Sequence, residues 1–191
     1  MTNIIGISGS LRAGSYNSAL LRAAESSMPE GASLNIASIA GIPVYDGDIE
    51  SVGIPMAVTA LKDAVTGSDG LLLATPEYNN SVPGSLKNAI DWLSRPPADI
   101  ARVFKDRPVA IMGASQGGFG TVLSQNAWLP IFHTLGARVW HGGRLMVSRA
   151  QTLFDQHGTL TDPATHAALQ KFLQGFIAFV NDERARMRTG A

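Results

Sequence analysis

The sequence predicts an α/β fold in which helices cover both faces of a parallel β-sheet. Strand-like and helix-like segments alternate about five times along the chain, as in sheets built from crossover units. The strand-like segments are short, continuous apolar runs without a polar face, which is typical of strands buried on both sides. Three of them are followed by loops rich in Gly, Ser, Asn or Pro. In parallel sheets such loops lie together at the carboxyl ends of the strands, where ligands bind.

The first half of the chain supplies three strands and three helices. Continuous or alternating apolar residues predict strands at 4–7, 33–39 and 71–74. Helical composition or spacing predicts a helix over 17–28 and two more that begin at Pro55 and Pro83, since proline is tolerated in a first helical turn. The segment 41–53 is expected to be a loop.

The second half supplies the remaining strands and helices. A strand is expected at 108–113, followed by a helix over 121–135 that contains Pro130. A last strand is expected over 137–140 and 144–147, interrupted at two glycines. A long helix begins at Pro163, and its apolar stripe is interpreted as core packing. The charged segment 182–191 is expected to fray.

Composition excludes several classes of function. Fifteen basic residues balance fifteen acidic ones, so no charge excess favours nucleic-acid or anionic-membrane binding. The chain has no cysteine, which excludes disulfides, thiolate nucleophiles and cysteine-held metal clusters. The four histidines lack metal-ligand spacing, and no metal is expected. Any redox chemistry therefore needs a bound organic cofactor.

Length and terminal sequence predict the organisation of the chain. The 191 residues fit a single domain that spans 1–191. The N-terminus lacks the basic and apolar regions of a signal peptide, so a cytoplasmic protein is expected. No apolar run has the length of a membrane span, and no membrane association is predicted.

The loop at 9–17 has the composition of a phosphate site. Ser10, Ser15 and Asn17 supply neutral donors, and Arg12 supplies a fixed positive charge at the start of a helix. A Walker A loop needs a lysine that is missing here, and the glycine spacing does not match a dinucleotide fingerprint. A terminal monophosphate held by hydroxyl and amide groups fits better than either, and better than a simple capped helix.

The other two loops admit more than one interpretation. Ser115 has the glycine spacing of a nucleophile elbow, but the acid and histidine candidates late in the chain lie too close together for a hydrolase. Tyr78 either offers an aromatic face to a ligand or covers the end of the sheet. Glu77 is interpreted as a backbone-donating position more readily than as a general acid.

Three motifs resemble those of the NADPH-dependent FMN reductase family, which includes chromate and quinone reductases. They are Gly9-Ser10-Leu11-Arg12-x-x-Ser15-x-Asn17, then Pro76-Glu77-Tyr78-Asn79 followed by 81–92, then Gly113-Ala114-Ser115-x-Gly117-Gly118-x-Gly120. They occur in the family's order. The resemblance implies a flavodoxin-like three-layer sandwich with a five-stranded parallel sheet of order 2-1-3-4-5, and bound FMN.

The resemblance also implies the site. Residues of the first motif would hold the FMN phosphate, and those of the second and third would flank the isoalloxazine ring. The implied cofactor-binding residues are Ser10, Arg12, Ser15, Tyr16, Asn17, Pro76, Glu77, Tyr78, Asn79, Ser115, Gln116, Gly117 and Gly118. Backbone N–H groups of 78–79 or 116–118 would stabilise negative charge on the reduced ring. Glycines 117 and 118 would permit close approach and positive φ. No catalytic side chain is expected.

The predicted function is an NAD(P)H-dependent FMN oxidoreductase. Electrons would pass from NADPH or NADH through FMN to a small acceptor such as a quinone, free flavin, an azo dye or a metal oxyanion. A non-enzymatic, flavodoxin-like electron carrier is the alternative, and the balanced net charge argues against it. Arg95 either meets the NADPH 2′-phosphate or is a solvated charge at a helix end.

Assembly is the last expectation. The resemblance implies flavodoxin-like subunits that pair near the ring. Trp92, Trp128 and Trp140 lie beyond the first two loops, and aromatic residues are favoured in interface cores. A homodimer or homotetramer is therefore predicted.

Overall fold

The computed structural model describes residues 1–189, and the last two residues of the expected domain lie outside that range. Within it, six strands form one sheet of order β2-β1-β3-β4-β5, and β6 also pairs with β4. All the pairings are parallel. The strands are β1 (Thr2–Ser8), β2 (Ala32–Ala37), β3 (Gly70–Ala74), β4 (Pro108–Ala114), β5 (Arg138–Val139) and β6 (Leu145–Val147). The predicted fold and strand order are confirmed.

Helices cover both faces of this sheet. They are α1 (Tyr16–Ser26), α2 (Gly47–Val52), α3 (Met56–Thr66), α4 (Gly84–Leu93), α5 (Ile100–Val103), α6 (Val122–Thr134) and α7 (Pro163–Thr189). Side chains of α1 and α7 pack in one core layer, and those of α3 to α6 pack in the other. Successive residues of β3 alternate between the layers, with Leu72 in the first and Leu71 and Leu73 in the second. This alternation explains why the strands have no polar face.

The fifth position of the sheet is shared by two short strands. β5 pairs with the start of β4, and β6 pairs with its end. Between them the chain bends around Trp140. A Cβ at Gly142 would lie 2.5 Å from the Trp140 indole, and a Cβ at Gly143 or Gly175 would lie 2.7 Å from it. The predicted interruption is confirmed, and its physical reason is that the indole needs this space.

The C-terminal segment differs from the expectation. α7 continues to Thr189 and does not fray from 182 onwards. Asn181 Oδ1 accepts a hydrogen bond of 2.7 Å from Thr2 Oγ1, and Arg184 Nε lies 3.2 Å from Asp69 Oδ1. These contacts hold the charged end of the helix against β1 and the turn before β3. The charged composition of 182–191 predicted fraying, and this was wrong because polar and charged side chains of this segment and its neighbour Asn181 contact Thr2 and Asp69.

Two short helices also lie where none was predicted. α2 falls within the expected loop 41–53, and its N-terminus is capped by the Asp46 side chain, which accepts from the Asp48 N–H. α5 follows a single turn of 3₁₀-helix at Pro97–Asp99. Within residues 1–189, no helix combines the length and the apolar character needed to cross a membrane.

The tryptophans cited for assembly belong to the chain's own core. Trp92 and Trp128 are fully buried. Trp140 packs against Phe172 and Phe176 of α7, with ring centroids 5.1 Å and 6.0 Å apart. The reasoning from these residues to an interface was therefore wrong, because aromatic content does not distinguish an internal core from a subunit boundary.

Candidate functional site

The three predicted loops meet in one cleft at the carboxyl end of the sheet. Its volume is about 380 Å³, within the range of small-molecule sites. Its lining residues are Ser10, Arg12, Ser15, Tyr16, Asn17, Pro76, Glu77, Tyr78, Ala114, Ser115 and Gln116. Asn79, Gly117 and Gly118 were also predicted for the site but do not line the cleft itself. Ala114, the last residue of β4, lines it and was not predicted.

The first loop ends at the N-terminus of α1. Ser15 is the N-cap, and its side-chain oxygen accepts the Ser18 N–H at 3.2 Å. The N–H groups of the first helical residues, Tyr16 and Asn17, have no acceptor within a helix. Arg12 is exposed and makes no ion pair within residues 1–189. Free N–H groups, a helix N-terminus and an unpaired guanidinium together form an anion site.

Asn17 has a different part in this loop from the one expected for its side chain. Its Nδ2 donates to Ala114 O, and its Oδ1 accepts from Ala114 N–H, both at 2.9 Å. The buried amide therefore joins the start of α1 to the end of β4. Only the Asn17 backbone N–H, in the first turn of α1, remains free to bind an anion. The neighbouring Tyr16 ring packs against Phe154, with centroids 5.7 Å apart.

The second loop contains a tight two-residue turn. Tyr78 N–H donates to Ser81 O at 3.2 Å, and Ser81 N–H donates to Tyr78 O at 3.0 Å. Asn79 and Asn80 between them have φ of +50° and +60°, which makes this a type I′ turn. The turn explains both asparagines as residues that tolerate the left-handed conformation. It also uses the Tyr78 N–H, while the Tyr78 side chain remains 51% exposed at the mouth of the cleft.

The glycines of the third loop have different roles from those predicted. Neither Gly117 nor Gly118 has positive φ, and a Cβ there would meet only Ser115 Oγ at 3.9 Å or nothing within 4 Å. Gly120 is the residue in the left-handed region, with φ of +62°, and a Cβ there would lie 2.9 Å from the Met146 carbonyl carbon. The backbone thus requires glycine at 120, whereas 117 and 118 leave open space beside the cleft.

The backbone of the third loop retains free donors. Its carbonyl groups at Ser115 and Gly117 accept from Ala150 and Arg149 N–H. By contrast, the N–H groups of Gln116, Gly117 and Gly118 donate to no acceptor within the described part of the chain. Because the Tyr78 N–H is used in its turn, these three N–H groups and that of Asn79 are the predicted donors left to stabilise negative charge.

The second loop is tied to the helix that follows the third loop. Glu77 Oε2 accepts the N–H groups of Leu123 at 2.8 Å and Ser124 at 3.1 Å, at the N-terminus of α6. Thr75 Oγ1 lies 2.9 Å from Ser124 Oγ and accepts from Trp128 Nε1 at 3.0 Å. The Glu77 carboxylate is therefore occupied by helix N–H groups, an arrangement that sequence reasoning missed.

The remaining candidates lie away from the cleft or lack partners. Arg95 Nε donates to Glu50 Oε2 at 2.8 Å, and this bond, followed by the one from the Tyr45 hydroxyl, lowers the pKa of Glu50. Arg95 does not line the cleft. Ser115 lines it, but no histidine does, so a nucleophile elbow has no base there. Within residues 1–189, no group of three or more His, Asp or Glu residues could hold a metal ion.

Comparison with known proteins places these loops in a family context. The NADPH-dependent FMN reductase family matches residues 2–152. An NAD(P)H-dependent FMN reductase of Pseudomonas aeruginosa is 44% identical over 177 residues, covering 93% of this chain and 94% of that protein. A quinone reductase of Escherichia coli K12 is 37% identical over 180 residues, covering 93% and 94%.

A solved structure agrees with this match. FerB, a flavoenzyme NAD(P)H:(acceptor) oxidoreductase of Paracoccus denitrificans, superposes with a TM-score of 0.86 at 29% identity, covering 96% of this chain and 99% of that one. Sequence and structure thus match relatives along nearly their whole length. This chain belongs to the NADPH-dependent FMN reductase family.

Proposed function

We propose that this protein is an NAD(P)H-dependent FMN oxidoreductase that delivers electrons to a small acceptor of the quinone type. The relatives named as FMN and quinone reductases support the reaction class. The observation that carries the proposal in this chain is the first loop, where an unpaired guanidinium and free helix N–H groups open into a cleft of about 380 Å³.

The residues present fit a flavin mononucleotide. The phosphate would be held by Arg12, the hydroxyls of Ser10 and Ser15, and the N–H groups at the start of α1. This donor set is rich in N–H and O–H groups and contains no carboxylate, as a dianionic phosphate requires. Asn17 would act through its backbone, because its side chain is bonded to Ala114.

The ring would lie farther along the same cleft. Pro76, Glu77 and Tyr78 line one side, and Ser115 and Gln116 line the other. When bound, FMN accepts a hydride from the nicotinamide and passes electrons on. The N–H groups of 116–118 are available to stabilise negative charge. Glycines 117 and 118 keep this edge free of side chains, and Asn79 supports Tyr78 through its turn.

An electron carrier with the same cofactor is the competing function. The chain has fifteen basic and fifteen acidic residues, whereas docking through electrostatics favours a patch of one sign. Tyr78, which lines the cleft, is 51% exposed, and Phe119 of the third loop is 83% exposed. Exposed aromatic rings of this kind suit a planar, uncharged acceptor.

Spectroscopy and turnover together test the proposal. Purified apoprotein should bind FMN with a shift in the flavin absorption bands, and NADPH or NADH should bleach the bound flavin within seconds. Quinones, azo dyes, free flavin and chromate should then be compared as acceptors under steady-state turnover. Absence of flavin binding would contradict the enzyme and the carrier together. Bound flavin that neither nicotinamide reduces would favour the carrier.

Assembly and location complete the proposal. We infer a cytoplasmic homodimer or homotetramer built from one domain per chain. The exposed apolar side chains of Phe119 in the third loop and Leu123 at the start of α6 support association through this part of the surface. Light scattering at micromolar concentration should report at least twice the 20.1 kDa chain mass. A monomer would contradict it.

A further inference from the structure

We propose that Glu77 is a positioning residue that fixes the spacing of the second and third loops and places a negative charge beside the flavin. The inference rests on the proposed function, since it concerns how the chain holds its cofactor. Glu77 lines the cleft, and its carboxylate accepts N–H groups at the start of α6.

Glu77 caps a helix that begins in a different loop. The N-cap residue of α6 is Thr121, whose side chain makes no capping hydrogen bond. Its hydroxyl instead accepts from Gln125 Nε2 at 3.2 Å. The second and third N–H groups of the helix donate to Glu77 Oε2, across 46 and 47 residues of sequence. A contact of this kind satisfies two helix N–H groups and also joins two loops.

A buried hydroxyl pair reinforces the junction. Thr75, two residues before Glu77, and Ser124 of α6 are both fully buried and lie 2.9 Å apart through their hydroxyl oxygens. Trp128 of the same helix donates to Thr75 Oγ1 at 3.0 Å. The segment 75–77 is therefore bonded to α6 at two points. These bonds fix the second loop against the helix that follows the third loop.

The Glu77 carboxylate, like that of Asp162, is balanced by a helix N-terminus and not by a basic side chain. It makes no ion pair within residues 1–189, so the positive end of α6 is its electrostatic partner. Without that carboxylate the positive helix end would act on the cleft unopposed. A positive potential there favours the reduced, more negatively charged flavin. Glu77 should therefore hold the midpoint potential of bound FMN lower than the helix alone would.

The experiment uses matched pairs of carboxylate variants. Glu77→Gln keeps an acceptor oxygen and removes the charge, whereas Glu77→Ala removes both. Asp162 provides the control, because its Oδ2 accepts the Thr165 N–H and Oγ1 at 2.7 Å each at the N-terminus of α7, away from the cleft. Asp162→Asn and Asp162→Ala repeat the same two changes there. Affinity of the apoproteins for FMN and riboflavin, the midpoint potential and thermal unfolding are measured for all five proteins.

The expected pattern separates positioning from simple stability. Glu77→Ala should weaken the binding of FMN and of riboflavin to the same extent, by about fivefold to tenfold, as the loss of one capping interaction predicts. Glu77→Gln should keep both affinities for oxidised flavin within about threefold and raise the midpoint potential. The Asp162 variants should lower the unfolding temperature and leave both affinities and the potential as in the parent.

Three results would overturn the inference. One is Glu77→Ala with parental flavin affinities and only reduced thermal stability, which would make the contact structural alone. Another is Glu77→Gln with an unchanged or lower midpoint potential, and this folded variant decides the question if Glu77→Ala does not fold. The third is an equal change of potential in Asp162→Asn. If the parent itself binds no flavin, the proposed function fails first, and the two failures are distinguishable.

Discussion

The first loop and the junction between the second loop and α6 use similar residues in opposite ways. In the first loop, Arg12 is exposed and unpaired, and the N–H groups that open α1 remain free within the described chain. At the junction, Thr75 and Glu77 of the second loop and Ser124 of α6 are bonded to one another or to backbone. The comparison separates polar groups that are kept free to bind from polar groups that set the distance between two walls.

The largest effect on stability is expected where the second and third loops touch. A Cβ at Gly113 would collide with Thr121 Oγ1 and lie 2.5 Å from Thr75 O. Because a backbone carbonyl cannot move aside as a flexible side chain can, Gly113→Ala should lower the free energy of unfolding by about 3 kcal/mol or more. Denaturant unfolding of the apoprotein measures it. Gly118→Ala is the control, since nothing lies within 4 Å of its Cβ. Equal stability of the two variants would contradict the close packing described here.

A substitution in the first loop should lower the affinity for FMN and leave the stability of the apoprotein unchanged. Arg12→Ala should weaken FMN binding by about 1.5–3 kcal/mol, the range for a hydrogen bond to a charged group. Riboflavin lacks the phosphate and should bind the variant and the parent about equally. Calorimetric titration of both ligands measures the difference. A variant that binds FMN as tightly as the parent would remove Arg12 from the phosphate site.

The first loop and the second-loop junction also differ in how far sequence alone could predict them. The phosphate loop is local, because its donors, its helix cap and the first helical residues all lie within residues 9–17. The Asn17 bond to Ala114 spans 97 residues, and the Glu77 bonds span 46 and 47. Contacts at such separation leave no periodic pattern, so the residues were predicted as site members while their partners were not.

The fold shows the same division between local and distant information. Continuous apolar runs predicted β3 and β4, because a strand that is buried on both faces has apolar residues at successive positions. α2 and α5 were missed because helices of six and four residues have too few turns to show a periodic stripe. The C-terminal part of α7 was missed because Arg184 is held by Asp69 and Thr2, which are more than 100 residues away in the sequence.

Two glycines of the third loop should affect folding and binding separately. Gly120→Val should destabilise the apoprotein by about 1–2 kcal/mol or more, the cost of left-handed backbone for a side-chain-bearing residue, because φ there is +62° and Met146 is close. Gly117→Val should leave the apoprotein folded, since a Cβ at 117 meets only Ser115 Oγ at 3.9 Å. It should weaken the binding of FMN, because residue 117 lies beside the proposed ring site.

Two measurements show whether each glycine serves flavin binding or folding. Flavin titration reports affinity, and thermal unfolding of each apoprotein reports stability. Parental affinity in Gly117→Val would mean that residue 117 does not approach the ring. A fall in its stability as large as that of Gly120→Val would mean that Gly117 serves the fold.

The smallest effect concerns a capping carboxylate outside both regions. The Thr165 hydroxyl, and then the Thr165 N–H, hold the pKa of Asp162 below its ordinary value. A carboxyl whose pKa is lower in the folded state contributes stability above its unfolded pKa and loses it as pH falls through its folded pKa. Asparagine caps a helix about as well as aspartate does. Asp162→Asn should therefore be slightly less stable than the parent at pH 7, and the gap should close as pH falls from about 5 to 3. Thermal unfolding across that range measures it. A gap that does not change with pH would mean that the ionised carboxylate is no better than a neutral acceptor, and the potential shift expected for Glu77→Gln would then need a source other than charge at a helix end.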